Sequence, residues 1–127
     1  MKILDDRQYA KTHEWVRWDG ADKATIGISD HAQQQLGDLV FLNLPQVGDK
    51  VTAGTAFGDL ESVKAVSDVY APVSGVVTKV NTELLDAPEK INADPYGSWF
   101  IEVGQISGHD ELLDKQAYED LCAKEAA

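Results

Sequence analysis

Lys64 is the residue whose setting points most directly to chemistry. It stands in the run Leu60-Glu61-Ser62-Val63-Lys64-Ala65-Val66-Ser67-Asp68-Val69. Read outward from Lys64-Ala65, the flanks mirror each other: Val63 with Val66, Ser62 with Ser67, Glu61 with Asp68, Leu60 with Val69. This pattern predicts a β-hairpin with a two-residue turn at Lys64-Ala65, because cross-strand partners share a face. Strand periodicity then puts Leu60, Ser62, Ser67 and Val69 on one face, toward a core, and Glu61, Val63, Val66 and Asp68 on the other. Tight hairpin turns favour Asn-Gly or Asp-Gly. Lys-Ala is neither, so local stability does not account for it. A role that requires an amine displayed at an exposed tip does.

Other chemistry finds less support. His13, His31 and His109 are scattered and show no ligand spacing of the H-E-x-x-H kind, so surface or capping roles and no metal site are expected. Cys122 is the single cysteine, which excludes an internal disulfide and a multi-cysteine metal centre; its place beside Leu121 reads as a small buried hydrophobe. No Walker A, G-x-G-x-x-G or G-x-S-x-G run occurs. Trp15, Trp18 and Trp99 read as packing residues.

The elements that must position Lys64 are mostly short strands. Thr12–Trp18, Lys23–Ile28, Asp38–Leu44, Val47–Val51, Ala56–Val63, Val66–Tyr70, Gly75–Val80 and Trp99–Val103 are rich in β-formers and bounded by turn residues. Ser29-Asp30 before His31–Leu36 and Gly37 after it predict a short helix near 30–36. Ser107 and Asp110 suggest the start of a C-terminal helix over about 110–125, with Leu113, Ala117 and Leu121 four residues apart. Two Pro-x-x-Gly segments, Pro45–Gly48 and Pro72–Gly75, suggest quasi-equivalent turns. The expectation is one mainly β domain over 1–127, an antiparallel sandwich or barrel with peripheral helices.

With 11 Lys and Arg against 22 Asp and Glu, the net charge is −11, which argues against nucleic-acid binding. No run of 18 apolar residues exists to span a membrane as a helix. The first residues, MKILDDRQYAKTHEW, have neither a signal-peptide core nor the Arg- and Ser-rich character of a transit peptide, so a cytoplasmic protein is expected; a monomer is expected as well.

The segment Glu61–Ser67 resembles the lipoyl-attachment site of the glycine cleavage system H-protein family. So do Thr12-His13-Glu14-Trp15, Ile26–Gln33, Leu36–Phe41, Leu44-Pro45-x-Val47-Gly48, Ala71–Gly75 and Asn92-x-x-Pro95-Tyr96-Gly97-x-Trp99, in the family's order along nearly the whole chain. The resemblance implies a flattened barrel-sandwich hybrid of two antiparallel sheets, with lipoic acid in amide linkage on Lys64. Glu61, Val63 and Ala65 would then be read by the lipoate-attaching enzyme. It further implies a non-catalytic carrier that shuttles an aminomethyl group and reducing equivalents. Its partners would be a pyridoxal-phosphate glycine decarboxylase, a tetrahydrofolate-dependent aminomethyltransferase and dihydrolipoamide dehydrogenase. Thr12, Glu14 and Asp68 match the cleft that shelters the loaded arm; Gln35 stands where some members have a histidine. Biotin carriers, which usually present Met-Lys-Met, fit Val63-Lys64-Ala65 less well. An alternative role within the resemblance is a relay that donates lipoate to other lipoyl domains.

Overall fold

The computed structural model describes residues 1–126. Ten strands form two antiparallel sheets. In chain order they are β1 (Gln8–Ala10), β2 (Glu14–Trp18), β3 (Ala24–Ile28), β4 (Leu39–Asn43), β5 (Lys50–Val51), β6 (Ala56–Ser62), β7 (Val66–Tyr70), β8 (Val73–Val80), β9 (Ile101–His109) and β10 (Leu112–Leu113). The helices are α1 (Asp30–Leu36), α2 (Glu83–Asp86), α3 (Glu89–Ala93) and α4 (Lys115–Ala126). A seven-stranded sheet runs β10-β1-β2-β3-β9-β8-β5, and a three-stranded sheet runs β4-β6-β7. This is the expected flattened β-sandwich with a short helix after β3 and a helix at the end.

The main core lies between the sheets, where Val16, Ile26, Leu60, Val69, Val77 and Phe100 pack together. A second cluster of Tyr9, Trp15, Tyr96, Tyr118 and Cys122 joins α4 to β1 and β2. Both faces of β2 are therefore covered: Val16 belongs to the first cluster and its neighbour Trp15 to the second. The rings of Tyr9 and Tyr118 stack at 4.3 Å. Gly27 pairs with Trp15 across the ladder, and a Cβ there would come 2.6 Å from the indole, so only glycine admits the ring.

Several boundaries differ from the sequence reading. The helix begins after Asp114, whose Oδ1 accepts from the Ala117 N–H at 2.9 Å; Ser107 and Leu113 are strand residues instead. A capping carboxylate three residues ahead of its N–H outweighs a four-residue apolar spacing that Leu113 satisfies equally well as a strand partner of Tyr9. Only Lys50–Val51 of the 47–51 run is strand, because Gly48 turns the chain at φ +96°. The two Pro-x-x-Gly segments are not equivalent: Gly48 sits in that turn, whereas Gly75 lies inside β8, pressed on the Gly104 carbonyl. Strands β1 and β10 and helices α2 and α3 are too short to show a period in the sequence.

Candidate functional site

Strands β6 and β7 form the hairpin that carries Lys64, but the turn is not at Lys64-Ala65. The register pairs Glu61 with Val66 and Leu60 with Ser67, and the Ser62 N–H donates to the Ala65 carbonyl at 2.8 Å. Val63 and Lys64 are therefore the two tip residues. The slip from the mirrored register is two residues, so the faces survive it: Leu60, Ser62 and Val69 are buried, and Glu61, Val63, Val66 and Asp68 are exposed. Neither tip residue has positive φ. The turn is held by Ser62, whose Oγ accepts from the N–H groups of Lys64 at 3.2 Å and Ala65 at 3.0 Å. A serine hydroxyl that bonds the backbone two and three residues on does the work usually left to glycine. Sequence symmetry concealed this; the signal was a serine directly before the tip.

The tip rests on the end of α1. The Val63 N–H donates to the Asp38 carbonyl at 3.1 Å. Gly37, at φ +81°, lies under the lysine stem; a Cβ there would sit 3.4 Å from Lys64 Cε. Asn92 of α3 fixes this corner. Its Oδ1 accepts from the Leu39 N–H, and its Nδ2 donates to the Gly37 carbonyl and to Gln33 Oε1, each at 2.9 Å. Asn92 had no role in the residue-level reading. Lys64 itself is exposed, and among the described residues no carboxylate oxygen lies within 4.0 Å of its Nζ. It is an accessible amine on a well-anchored base.

Around it lies an apolar surface wider than the hairpin. Val63 and Val66 are joined by Val40 and Phe41 of β4, all at least half exposed. Phe41 pairs with Glu61. Exposed aromatic and branched side chains beside an exposed lysine, rimmed by Glu61 and Asp38, suit a docking surface.

Glu14 is 2% exposed and ties the two sheets together. Its Oε2 accepts from the Tyr70 N–H of β7 at 3.1 Å, and the Thr12 hydroxyl donates to Oε1. Burial pushes its carboxyl up to about 7, against the pull of those hydrogen bonds; the Asp110 charge adds to the rise. Thr12 also lines a shallow pocket of about 220 Å³ with Asp110 and Glu111. Asp68 is exposed, in register with Asp59, and makes no hydrogen bond to Thr12 or Glu14 among the described residues. Gln35 lies on an exposed part of α1.

The histidines are not scattered, as the sequence suggested. The His13 and His31 rings have centroids 4.7 Å apart, next to Cys122, while His109 packs on Trp18.

Comparison with known proteins decides the family. The model of the glycine cleavage H-protein family matches residues 7–125. The chain belongs to the glycine cleavage H-protein family. Its members are the lipoyl carriers of the glycine cleavage system, and the shuttling role follows from membership. The chain is 54% identical over 125 residues to the glycine cleavage system H protein of Lachnoclostridium phytofermentans, covering 98% of each. It is 55% identical over 118 residues to that of Rubrobacter xylanophilus, covering 92% of each. Among solved structures, an H protein from Mycobacterium marinum superposes with a TM-score of 0.86 at 39% identity, covering 98% of this chain and 100% of that one. The H-protein fold thus accounts for the two sheets and the terminal helix. It also accounts for the Asn92–Trp99 motif: the Pro95 carbonyl accepts from Trp15 Nε1 at 3.2 Å, and the Tyr96 hydroxyl donates to the Lys2 carbonyl at 2.6 Å. Among the described residues, no helix is long and apolar enough to cross a membrane.

Proposed function

We propose that Lys64 carries lipoic acid in amide linkage and that the chain acts as a non-catalytic carrier within the glycine cleavage system. One observation carries the reading: an exposed lysine, free of ion pairs among the described residues, at a tip fixed by Ser62, Gly37 and Asn92. The residues fit the group. The amine is accessible to an acylating enzyme, and nothing buried is uncovered when its charge is removed. Once attached, the lipoyl group supplies reversible disulfide–dithiol chemistry at the end of an arm of roughly 14 Å.

The chain's own residues hold and present. Ser62 fixes the tip, and the lysine stem lies over Gly37, where the absence of a side chain leaves it room. Val63, Val66, Val40 and Phe41 supply apolar contact to a partner, and Glu61 and Ala65, with Val63, mark the tip for the lipoate-attaching enzyme. Thr12 and, on β7, the exposed Asp68 offer polar groups to a cationic amine carried on the arm, and buried Glu14 orients Thr12. The partners on this reading are glycine decarboxylase, aminomethyltransferase and dihydrolipoamide dehydrogenase, met by a monomer in the cytoplasm. No side chain of the carrier acts as acid or base. Arginine at position 64 keeps the charge but not the acylable amine. The Lys64→Arg chain is expected to gain no lipoyl mass on incubation with a lipoate ligase and to support no glycine decarboxylation, with its melting temperature almost unchanged. Lipoylation of that variant would overturn the assignment.

A further inference from the structure

His13, His31 and Cys122 are distant in sequence, and the fold collects them at one point. His13 lies in the turn between β1 and β2, His31 in the first turn of α1, and Cys122 in the middle of α4. One ring nitrogen of each histidine and the Cys122 Sγ all lie within 4.8 Å of one another. We propose that these three side chains bind a single borderline transition-metal cation of the Zn²⁺ class, which pins α4 to α1 and to the β1–β2 turn.

Two observations beyond proximity support a ligand here. His31 is 7% exposed, and its Nε2 is buried with no hydrogen-bond partner among the described residues. Buried imidazole nitrogens are ordinarily paired, and a metal is a partner this one lacks. Access exists: His31 and Cys122 stand in the wall of an open pocket of about 440 Å³, beside Gln34 and Gln35.

His13 is already arranged as a ligand. Its backbone holds φ +80°, a conformation that departs from the ordinary and is retained where the surroundings require it. Its Nδ1 is bonded to the Tyr118 hydroxyl at 2.7 Å, and that oxygen lies 2.5 Å from Ser29 Oγ. Metal-bound histidines use such an outer hydrogen bond to fix the ring. The other ring nitrogen, Nε2, meets Glu125 Oε1 at 3.0 Å. Glu125 lies three residues beyond Cys122 on the same helical face and is placed to complete the set when the metal replaces that hydrogen bond.

The donor set selects the cation. Two imidazoles and a thiolate suit Zn²⁺ or Co²⁺ and reject Mg²⁺ and Ca²⁺, which take oxygen ligands. A metal takes imidazole in its neutral form and cysteine as thiolate, so binding releases the Cys122 thiol proton to solvent. Tetrahedral Zn–N and Zn–S bonds place ligand atoms about 3.5 Å apart, so the three close by roughly 1 Å on binding, a side-chain adjustment.

The test uses the full chain with Lys64→Arg, so that no dithiol competes for metal. Co²⁺ titration is expected to give one equivalent bound, with a thiolate-to-cobalt charge-transfer band in the near ultraviolet and the visible bands of a tetrahedral centre. Zn²⁺ should displace it and raise the melting temperature. Cys122→Ala keeps a small apolar group in the core and should abolish the charge-transfer band. His31→Gln and His13→Gln should each weaken Zn²⁺ binding at least tenfold. Absence of the band in the starting protein, or Zn²⁺ affinity in both Cys122→Ala and His31→Gln equal to that of the starting protein, would overturn the site.

Discussion

At Glu14, burial holds a carboxyl near neutrality inside a sheet-to-sheet contact. The folded state therefore binds this proton more tightly than the unfolded chain. The resulting stabilisation is complete below the ordinary value of 4.5 and is lost as pH rises through about 7. The difference corresponds to about 3 kcal/mol. Glu14→Gln keeps an acceptor for the Tyr70 N–H and turns a donor toward Thr12. Its denaturant midpoint is expected to stay flat between pH 5 and pH 8, where the unaltered chain loses stability. Parallel curves for the two proteins would show that Glu14 does not control this slope. Ser62 makes a second single-residue case. Ser62→Ala removes the acceptor for two tip N–H groups that water can reach, so the stability loss should stay near 1 kcal/mol. The rate of lipoylation should fall by more than that loss explains, because the tip backbone that presents the lysine is no longer fixed. Equal rates with both proteins would assign Ser62 to stability alone.

The elements that matter to the tip are α3 and the α1–β4 corner. Asn92 closes three hydrogen bonds between them with one side chain. Asn92→Ala strands the buried Leu39 N–H and the Gly37 carbonyl, at about 1–3 kcal/mol for each group left unpaired. An overall loss of about 2–4 kcal/mol in urea unfolding is expected, together with slower lipoylation of the surviving folded protein. A change below 0.5 kcal/mol would mean that water replaces the amide and that the corner is held by packing alone. The same corner explains why α3, invisible to periodicity, is needed: its five residues bury Ile91 and present Asn92 to a turn more than fifty positions earlier.

On the scale of the whole molecule, the proposed carrier role gives the net charge of −11 and the apolar tip surface different parts in recognition. On that proposal, long-range attraction to a basic partner surface would set the encounter rate and be screened by salt, and contact at Val63, Val66, Val40 and Phe41 would set the lifetime of the complex. Glu61→Gln and Asp68→Asn should slow turnover with the decarboxylase mainly at low ionic strength, each by no more than about 1 kcal/mol. Val63→Ala should weaken turnover by a similar factor at every salt concentration, from the loss of roughly two methylene-sized groups. Kinetics across an ionic-strength series separate the two. Salt-independent rates would remove the steering role, and an unchanged Val63→Ala protein would remove the hot spot.

Much of this was legible in the order of residues. The hairpin's exposed and buried faces, the Ser29 cap of α1, the β-rich class and Lys64 as the amine on display all follow from local spacing, which depends only on backbone period and turn chemistry. The hairpin register did not, because a two-residue slip leaves every face unchanged and only the Ser62 hydrogen bonds choose between the alternatives. Nor did the start of α4, where Leu113 fits a helix or a strand until Tyr9 is beside it. The burial of Glu14, the Asn92 corner and the meeting of His13, His31 and Cys122 join segments from opposite ends of the chain. No local pattern encodes such encounters; they exist only once the two sheets and the last helix have packed together.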